Sequence, residues 1–157
     1  MESILDELKV KLQGKVLILG IGNTLRRDDG FGSILARAIR GKIKQKVVDV
    51  KTVPENYLGL IVKNNPDTIL IIDAVDFKEK PGAIRIFSLK DVLTSNLFFT
   101  HNLSPHLLIN FLNENLKANI IFLGIQPKIV TFGRGLTKEL KETKIQLQDF
   151  FTRIDGQ

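Results

Sequence analysis

Residues 20–32 join an apolar run to an amphipathic one through a glycine-rich segment that carries two adjacent acids, Asp28 and Asp29. The preceding residues 16–19 are apolar at successive positions, which is typical of a parallel strand buried on both faces. Residues 31–39 place apolar side chains at helical spacing. The segment is therefore predicted to be a strand, a turn and a helix of an open α/β sheet. Ligands bind outside the carboxyl ends of the strands in such sheets, so the two acids define a candidate site.

The rest of the chain alternates short apolar runs with helical patterns in the order α-β-α-β-α-β-β-α-β-α. This order predicts a three-layer α/β sandwich with a mostly parallel, twisted sheet of about five strands flanked by helices, in one domain over residues 1–157. Because only a short turn separates the third and fourth strands, we expect them to pair antiparallel. We expect residues 91–100 to be irregular. Strands are predicted at residues 15–21, 47–53, 68–75, 83–88 and 120–124, and helices at 3–12, at 31–39 and after Val53, Leu103 and Leu136.

The sequence contains no cysteine and two histidines, His101 and His106, so imidazole and carboxylate are the groups left to hold a metal. The net charge of +6 is compatible with a polyanion or an acidic protein partner. The basic residues are scattered, however, with few aromatic side chains among them. That distribution favours a solvated lysine-rich surface and argues against nucleic-acid binding. No apolar run approaches the roughly 20 residues of a membrane span, so we expect a cytoplasmic protein that does not bind membranes.

Asp73 follows the most apolar run of the chain, residues 69–72. An acid at this position is costly to bury unless it is paired or liganded, although a strand-end Asp that caps a nearby loop is the alternative. Parallel strands end at the same edge of a sheet, so Asp73 is expected near Asp28 and Asp29. The segment that contains both histidines is also expected to reach these acids. Two carboxylates and one imidazole suit zinc or nickel, with open positions for catalysis or for a metal carried by another molecule.

Two other classes of protein share parts of this pattern. Gly20-Ile21-Gly22 begins like a dinucleotide-binding fingerprint, but Leu25 stands in place of the third glycine and the helix begins too late. Paired acids, a mid-chain acid and a later lysine also occur in magnesium-dependent phosphoacceptor domains, although here the acids lie well beyond the end of the first strand. From composition and pattern alone, an enzyme and a non-enzymatic metal- or nucleotide-binding module of phosphoacceptor type remain close alternatives.

A series of short motifs, in collinear order over roughly residues 15–150, resembles the nickel–iron hydrogenase maturation endopeptidases. Each motif is modestly specific, whereas the ordered set is highly specific. The later segments are most similar to the subgroup that processes the large subunit of formate-hydrogenlyase-type hydrogenase (hydrogenase 3). The motifs are Gly20-Ile21-Gly22-Asn23, Leu25, Asp28-Asp29-Gly30 and Gly32, then Val53-Pro54-Glu55-Asn56, Ile72-Asp73-Ala74-Val75-Asp76, Pro81-Gly82-Ala83-Ile84-Arg85, Thr100-His101-Asn102 and Ile121-Phe122-Leu123-Gly124-Ile125-Gln126-Pro127.

The resemblance implies an endopeptidase, of aspartyl or metal-dependent type, that removes a C-terminal extension from the hydrogenase large-subunit precursor after nickel insertion. It implies that two carboxylates and a histidine contact the nickel of that precursor. These fall on Asp29 and Asp73, which are also the expected catalytic residues, and on His101. His106 is the rival histidine, because the ligand in another subgroup follows Ser-Pro. No resident cofactor is implied beyond the substrate's nickel, and we expect a monomer. Asp28, Asp76 and the metal itself are the candidates for activating water.

Overall fold

The computed structural model describes residues 1–94, 98–99 and 105–155. Helices and strands alternate along most of the chain, in close agreement with the predicted order. Two short 3-10 turns, Arg27–Gly30 and Pro54–Tyr57, precede the second and third helices. The helices are α1 (Glu2–Lys11), α2 (Phe31–Ile39), α3 (Leu58–Asn64), α4 (Leu89–Thr94), α5 (Pro105–Asn115) and α6 (Lys138–Asp155). The strands are β1 (Val16–Ile21), β2 (Lys46–Lys51), β3 (Thr68–Asp76), β4 (Ile84–Ser88), β5 (Phe98–Phe99) and β6 (Asn119–Ile125).

The strands form one mostly parallel sheet in the order β2-β1-β3-β6-β4, and β5 pairs with β3 beyond this path. Strands β1, β2, β3 and β6 run parallel to one another, and β4 is antiparallel to β6. The expected pairing of β4 with β3 is therefore wrong, because β6 lies between them. β6 is buried along almost its whole length, as a central strand requires, whereas β4 combines buried residues with exposed ones, as an edge strand does.

The expectation that residues 91–100 are irregular is also wrong for part of that range. Helix α4 begins with a reciprocal cap: the Ser88 backbone N–H donates to the Asp91 carboxylate at 2.9 Å, and the Asp91 N–H donates to the Ser88 hydroxyl at 3.1 Å. This pattern of Ser followed three residues later by an acid is a helix-start signal. Strand β5 follows and pairs antiparallel with the end of β3, where Val75 faces Phe99.

Apolar side chains cover both faces of the sheet. Helices α1, α2 and α6 pack on one face, against the side of β3 that carries Leu70 and Ile72. Helices α3, α4 and α5 pack on the other, against the side that carries Ile69 and Ile71. The predicted three-layer α/β sandwich is confirmed. Within the described ranges, no helix combines the length and apolar character needed to cross a membrane.

Candidate active site at the carboxyl edge of the sheet

The glycine-rich segment after β1 folds back on itself and delivers Asp29 to the carboxyl edge of the sheet. The Asn23 N–H donates to the Asp29 carbonyl at 3.1 Å, and the Asp29 N–H donates to the Arg26 carbonyl at 3.1 Å. A Cβ on Gly22 would lie 2.8 Å from the Asp29 carbonyl oxygen, so a side chain at position 22 would open the turn. The turn is thus held by backbone contacts. It leaves the Asp29 side chain 1% exposed.

Gly32, in the first turn of α2, is the point where this segment meets the central strands. A Cβ at position 32 would lie 2.2 Å from the carbonyl oxygen of Ile21 and 2.3 Å from that of Ile72. Helix α2 therefore begins directly against the end of β1 and against β3 at Ile72, where the pairing of these two strands ends. Asp29 precedes Gly32 by three residues, and Asp73 follows Ile72. Both acids consequently lie at the same edge of the sheet.

Asp73 is 1% exposed although it lies within the central strand β3, where it is paired across the sheet with Gly124 of β6. Side chains alternate along a strand, so Asp73 shares a face with Ile71 and Val75. This is the face that α5 covers. Helix α5 connects β5, at the carboxyl end of β3, to the start of β6. The N-terminus of α5 therefore lies at the same edge as Asp73.

Asp28 is completely buried, and its carboxylate is surrounded by donors from residues 128–137. One oxygen accepts from the backbone N–H groups of Lys128 at 2.9 Å and Ile129 at 3.0 Å and from the Thr137 hydroxyl at 2.8 Å. The other accepts from the Thr137 N–H at 2.8 Å. Asp28 therefore holds the residue 128–137 segment against the Asp29 turn. Asp28 is one of the three candidates for activating water, and these donors occupy the acceptor positions of its carboxylate.

Thr137 directly precedes the amphipathic pattern of the terminal helix, which is a common position for a helix cap. Helix α6 does begin directly after it, and its carbonyl accepts from the Lys141 N–H at 2.9 Å. Its hydroxyl, however, is directed at Asp28 rather than at the first turn of the helix. The residue thus joins the start of α6 to the site, which is a role that its position before an amphipathic run did not predict.

Asp76, the second candidate for activating water, is the last residue of β3 and lies directly before the turn that follows this strand. Hydrogen bonds from the Lys78 backbone N–H, the Lys78 ammonium and the Gln126 amide lower the pKa of this carboxyl below its usual value of 3.8. The ammonium lies 3.0 Å from the carboxylate and the amide 3.2 Å. A carboxylate with a lowered pKa is a weaker base, so this environment does not favour proton abstraction by Asp76.

Gln126 organises the same turn and was not singled out from the sequence as a functional residue. Its amide oxygen accepts from the Phe77 N–H at 2.8 Å and the Glu79 N–H at 3.2 Å, while its amide nitrogen donates to Asp76. Its side chain is 7% exposed. The available signal was its place directly after the last apolar strand, at the carboxyl edge where the acids were expected.

The third predicted metal-contacting residue, His101, lies outside the described residues. His106 is the second residue of α5, and its side chain is likewise outside what the structure describes. Among the described residues, no group of three acids, cysteines or histidines is placed to hold a metal ion. The structure therefore brings Asp29 and Asp73 to one edge and leaves the choice of histidine as a prediction.

Fold and site together define an α/β protein with buried carboxylates at the carboxyl ends of its central parallel strands. A family model described as HycI, hydrogenase maturation protease, matches residues 32–149. The hydrogenase 3 maturation protease of Escherichia coli strain K12 is 35% identical over 142 residues, covering 89% of this chain and 88% of that protein.

Solved structures give the same result. The crystal structure of a nickel–iron hydrogenase maturation protease HycI from Thermococcus kodakarensis KOD1 matches with a TM-score of 0.86 and 25% identity, over 96% of this chain and 99% of that one. The solution structure of the endopeptidase HycI from Escherichia coli matches with a TM-score of 0.76 and 33% identity, over 89% and 90% of the two chains.

The chain belongs to the hydrogenase maturation protease family. It is accordingly an endopeptidase of hydrogenase maturation, as the resemblance of its motifs implied. The alternative, a non-enzymatic phosphoacceptor-type module, finds no support in these comparisons.

Proposed function

We propose that this protein removes the C-terminal extension of a nickel–iron hydrogenase large-subunit precursor in the cytoplasm, after nickel has been inserted. In this proposal Asp29, Asp73 and His101 contact the nickel of the precursor and thereby position the scissile peptide bond. Nickel enters the site as part of the substrate. The protein acts as a monomer with residues 1–157 in one domain.

The observation that carries the proposal is the placement of Asp29 and Asp73 at one edge, on either side of the contact between Gly32 and the Ile72 carbonyl. Each side chain is 1% exposed. Burying a carboxylate is unfavourable, and a nearby cation favours its charged form. A metal ion delivered by the substrate would therefore be attracted to this edge.

Chain connectivity supports His101 as the third contact. Phe99 pairs with Val75, which is two residues beyond Asp73. His101 is two residues beyond Phe99, and two residues span at most about 7 Å of chain. This short distance along the sequence is the reason for proposing His101 as the third contact. His106, at the start of α5, is the alternative from the same edge.

The surroundings of Asp28 and Asp76 bear on which group activates water. Asp28 is occupied by donors from Lys128, Ile129 and Thr137, and Asp76 is a weakened base. We therefore assign water activation to Asp29 or Asp73 acting with the substrate's nickel. The expected aspartyl character of the peptidase is retained in this assignment.

The test measures how fast variants with one substitution cleave a nickel-loaded precursor. Cleavage is detected as a shift of the large subunit on a gel. Asp29→Asn and Asp73→Asn should each lower the rate by at least about 100-fold, the usual contribution of a positioned acid or base. Asp6→Asn, an exposed acid on α1, is the matched control and should retain the wild-type rate.

His101→Ala and His106→Ala discriminate between the two histidines in the same assay. Loss of cleavage in His101→Ala alone supports the proposed set, whereas loss in His106→Ala alone would move the metal contact to α5. Wild-type cleavage by Asp29→Asn or Asp73→Asn would refute the proposal. An unfolded Asp73→Asn protein would show that this acid has a structural role.

A further inference from the structure

Phe132 lies on the surface beside the candidate active site, and its side chain is 86% exposed. Among the described residues, no other large apolar side chain is as exposed. Leu25, which is 48% exposed, is joined to the same surface, because the Gly133 N–H donates to the Leu25 carbonyl at 2.8 Å. Two apolar side chains thus face solvent on adjacent segments, and one of these segments leads into the Asp29 turn.

The backbone that carries Phe132 is held firmly in place. The Arg27 N–H donates to the Gly133 carbonyl at 3.0 Å, and the Asp28 N–H donates to the Ile129 carbonyl at 3.0 Å. The buried Asp28 carboxylate fixes both ends of the segment through Lys128, Ile129 and Thr137. An aromatic side chain on a preorganised backbone loses little conformational freedom on binding, which is favourable for recognition.

Cationic side chains flank the two apolar groups. Arg26 adjoins Leu25 and Arg134 lies two residues after Phe132, and both are exposed. The neighbouring acids are engaged elsewhere, since Asp28 is buried in its network and Glu139 binds the Lys128 ammonium at 2.7 Å. The surface therefore suits a partner with an apolar pocket bordered by acidic side chains. Aromatic and arginine side chains are also the residue types enriched at binding hot spots.

We infer that Leu25, Arg26, Phe132 and Arg134 form the docking surface for the hydrogenase large-subunit precursor. Phe132 inserts into an apolar pocket of the folded precursor, and the two arginines contact acidic groups at its rim. The inference rests on the proposed function and adds the surface that recognises the body of the substrate, separately from the nickel-contacting acids. Because Asp28 joins this surface to the Asp29 turn, docking and positioning of the scissile bond occur on one rigid unit.

The experiment measures KM and kcat for the nickel-loaded precursor. Phe132→Ala should raise KM by roughly 30-fold, as expected for an aromatic side chain at a binding hot spot. The kcat should change by less than about twofold, because the lost contact is equally strong in the substrate complex and in the transition state. Phe132→Tyr should retain most of the affinity. Val10→Ala, which truncates another apolar side chain that is 70% exposed on α1, is the matched control and should leave KM unchanged.

Charge is tested by Arg26→Glu combined with Arg134→Glu. This variant should raise KM, because two favourable charge interactions are replaced by repulsive ones. Salt should raise its KM less than that of the wild type, because salt also screens the new repulsion. Thermal unfolding of each variant should match the wild type, since the altered side chains are exposed.

An unchanged KM for Phe132→Ala, or an equal rise in KM for Val10→Ala, would overturn the inference. The proposed function would still stand in that case, provided that the wild type cleaves the nickel-loaded precursor. Failure of the wild type to cleave the nickel-loaded precursor would overturn the proposed function and this inference with it. The two failures are therefore distinguishable in the same assay.

Discussion

Replacing Asp28 by Asn should destabilise the protein, whereas the same change at the adjacent Asp29 should not. The Asp28 carboxylate accepts three backbone N–H groups, from Lys128, Ile129 and Thr137, at 2.8 to 3.0 Å. An Asn side chain offers one acceptor oxygen. Its least costly orientation keeps that oxygen toward Lys128 and Ile129 and turns the amide nitrogen toward the Thr137 N–H, which then loses its acceptor.

The magnitude follows from these contacts. A buried donor left without an acceptor costs about 1–3 kcal/mol, and hydrogen bonds to a charged group exceed neutral ones by roughly 0.5–1 kcal/mol each. One lost acceptor and two weakened bonds give about 2–5 kcal/mol for Asp28→Asn. At about 2–4 °C for each kcal/mol in a chain of this size, the midpoint of thermal unfolding should fall by roughly 4–20 °C.

The assay is thermal and urea unfolding followed by far-ultraviolet circular dichroism, with cleavage measured in parallel below the unfolding transition. Asp28→Asn should unfold earlier yet retain measurable cleavage at low temperature. Asp29→Asn should unfold near the wild-type midpoint and fail to cleave. A wild-type midpoint for Asp28→Asn, or a stability loss confined to Asp29→Asn, would refute the assignment of a structural role to Asp28.

Three further predictions concern the packing, pH dependence and metal response of the same edge. Gly32→Ala should reduce stability by more than about 3 kcal/mol or prevent folding, because the new Cβ would overlap backbone atoms. Gly59→Ala, which places a Cβ in open space on α3, should stabilise the protein by up to about 1 kcal/mol. Equal midpoints of the two variants in urea unfolding would contradict this prediction. The lowered pKa of Asp76 means that its ionised carboxylate stabilises the fold above the ordinary pKa of 3.8, and that this stabilisation is lost as the pH falls through the pKa of the folded state. Asp76→Asn should therefore be less stable than the wild type at pH 7 and equally stable in strong acid. A difference in stability that does not change with pH would contradict this explanation. Nickel ions should raise the thermal midpoint of the wild type, because a ligand that binds the native state stabilises it, and no rise is expected in Asp29→Asn; equal shifts would place nickel elsewhere.

Much of the architecture could be predicted from local patterns. The apolar runs that became β1, β3 and β6 are buried on both faces, and the stripe over residues 31–39 became α2. Strand neighbours were less predictable. The short turn before β4 specifies its direction but not its neighbour, because β6, which arrives later in the chain, competes for the place beside β3.

The site shows the same division between local and long-range information. Parallel strands end at the same edge of a sheet, so the sequence predicts that acids near the strand ends gather there. The structure places Asp29 and Asp73 at this edge. The different roles of Asp28 and Asp29 could not be predicted, because two adjacent residues of one type are distinguished by partners about a hundred positions away. The donors to Asp28 at Lys128 and Thr137 are set by tertiary packing.

The most direct measurement is mass spectrometry of a hydrogenase large-subunit precursor, nickel-loaded and nickel-free, after incubation with this protein. The account predicts loss of a C-terminal peptide from the nickel-loaded form alone, and no loss when Asp73→Asn replaces the wild type. Cleavage of both forms at equal rates would contradict recognition through the substrate's nickel. An intact nickel-loaded precursor would contradict the proposed peptidase function itself.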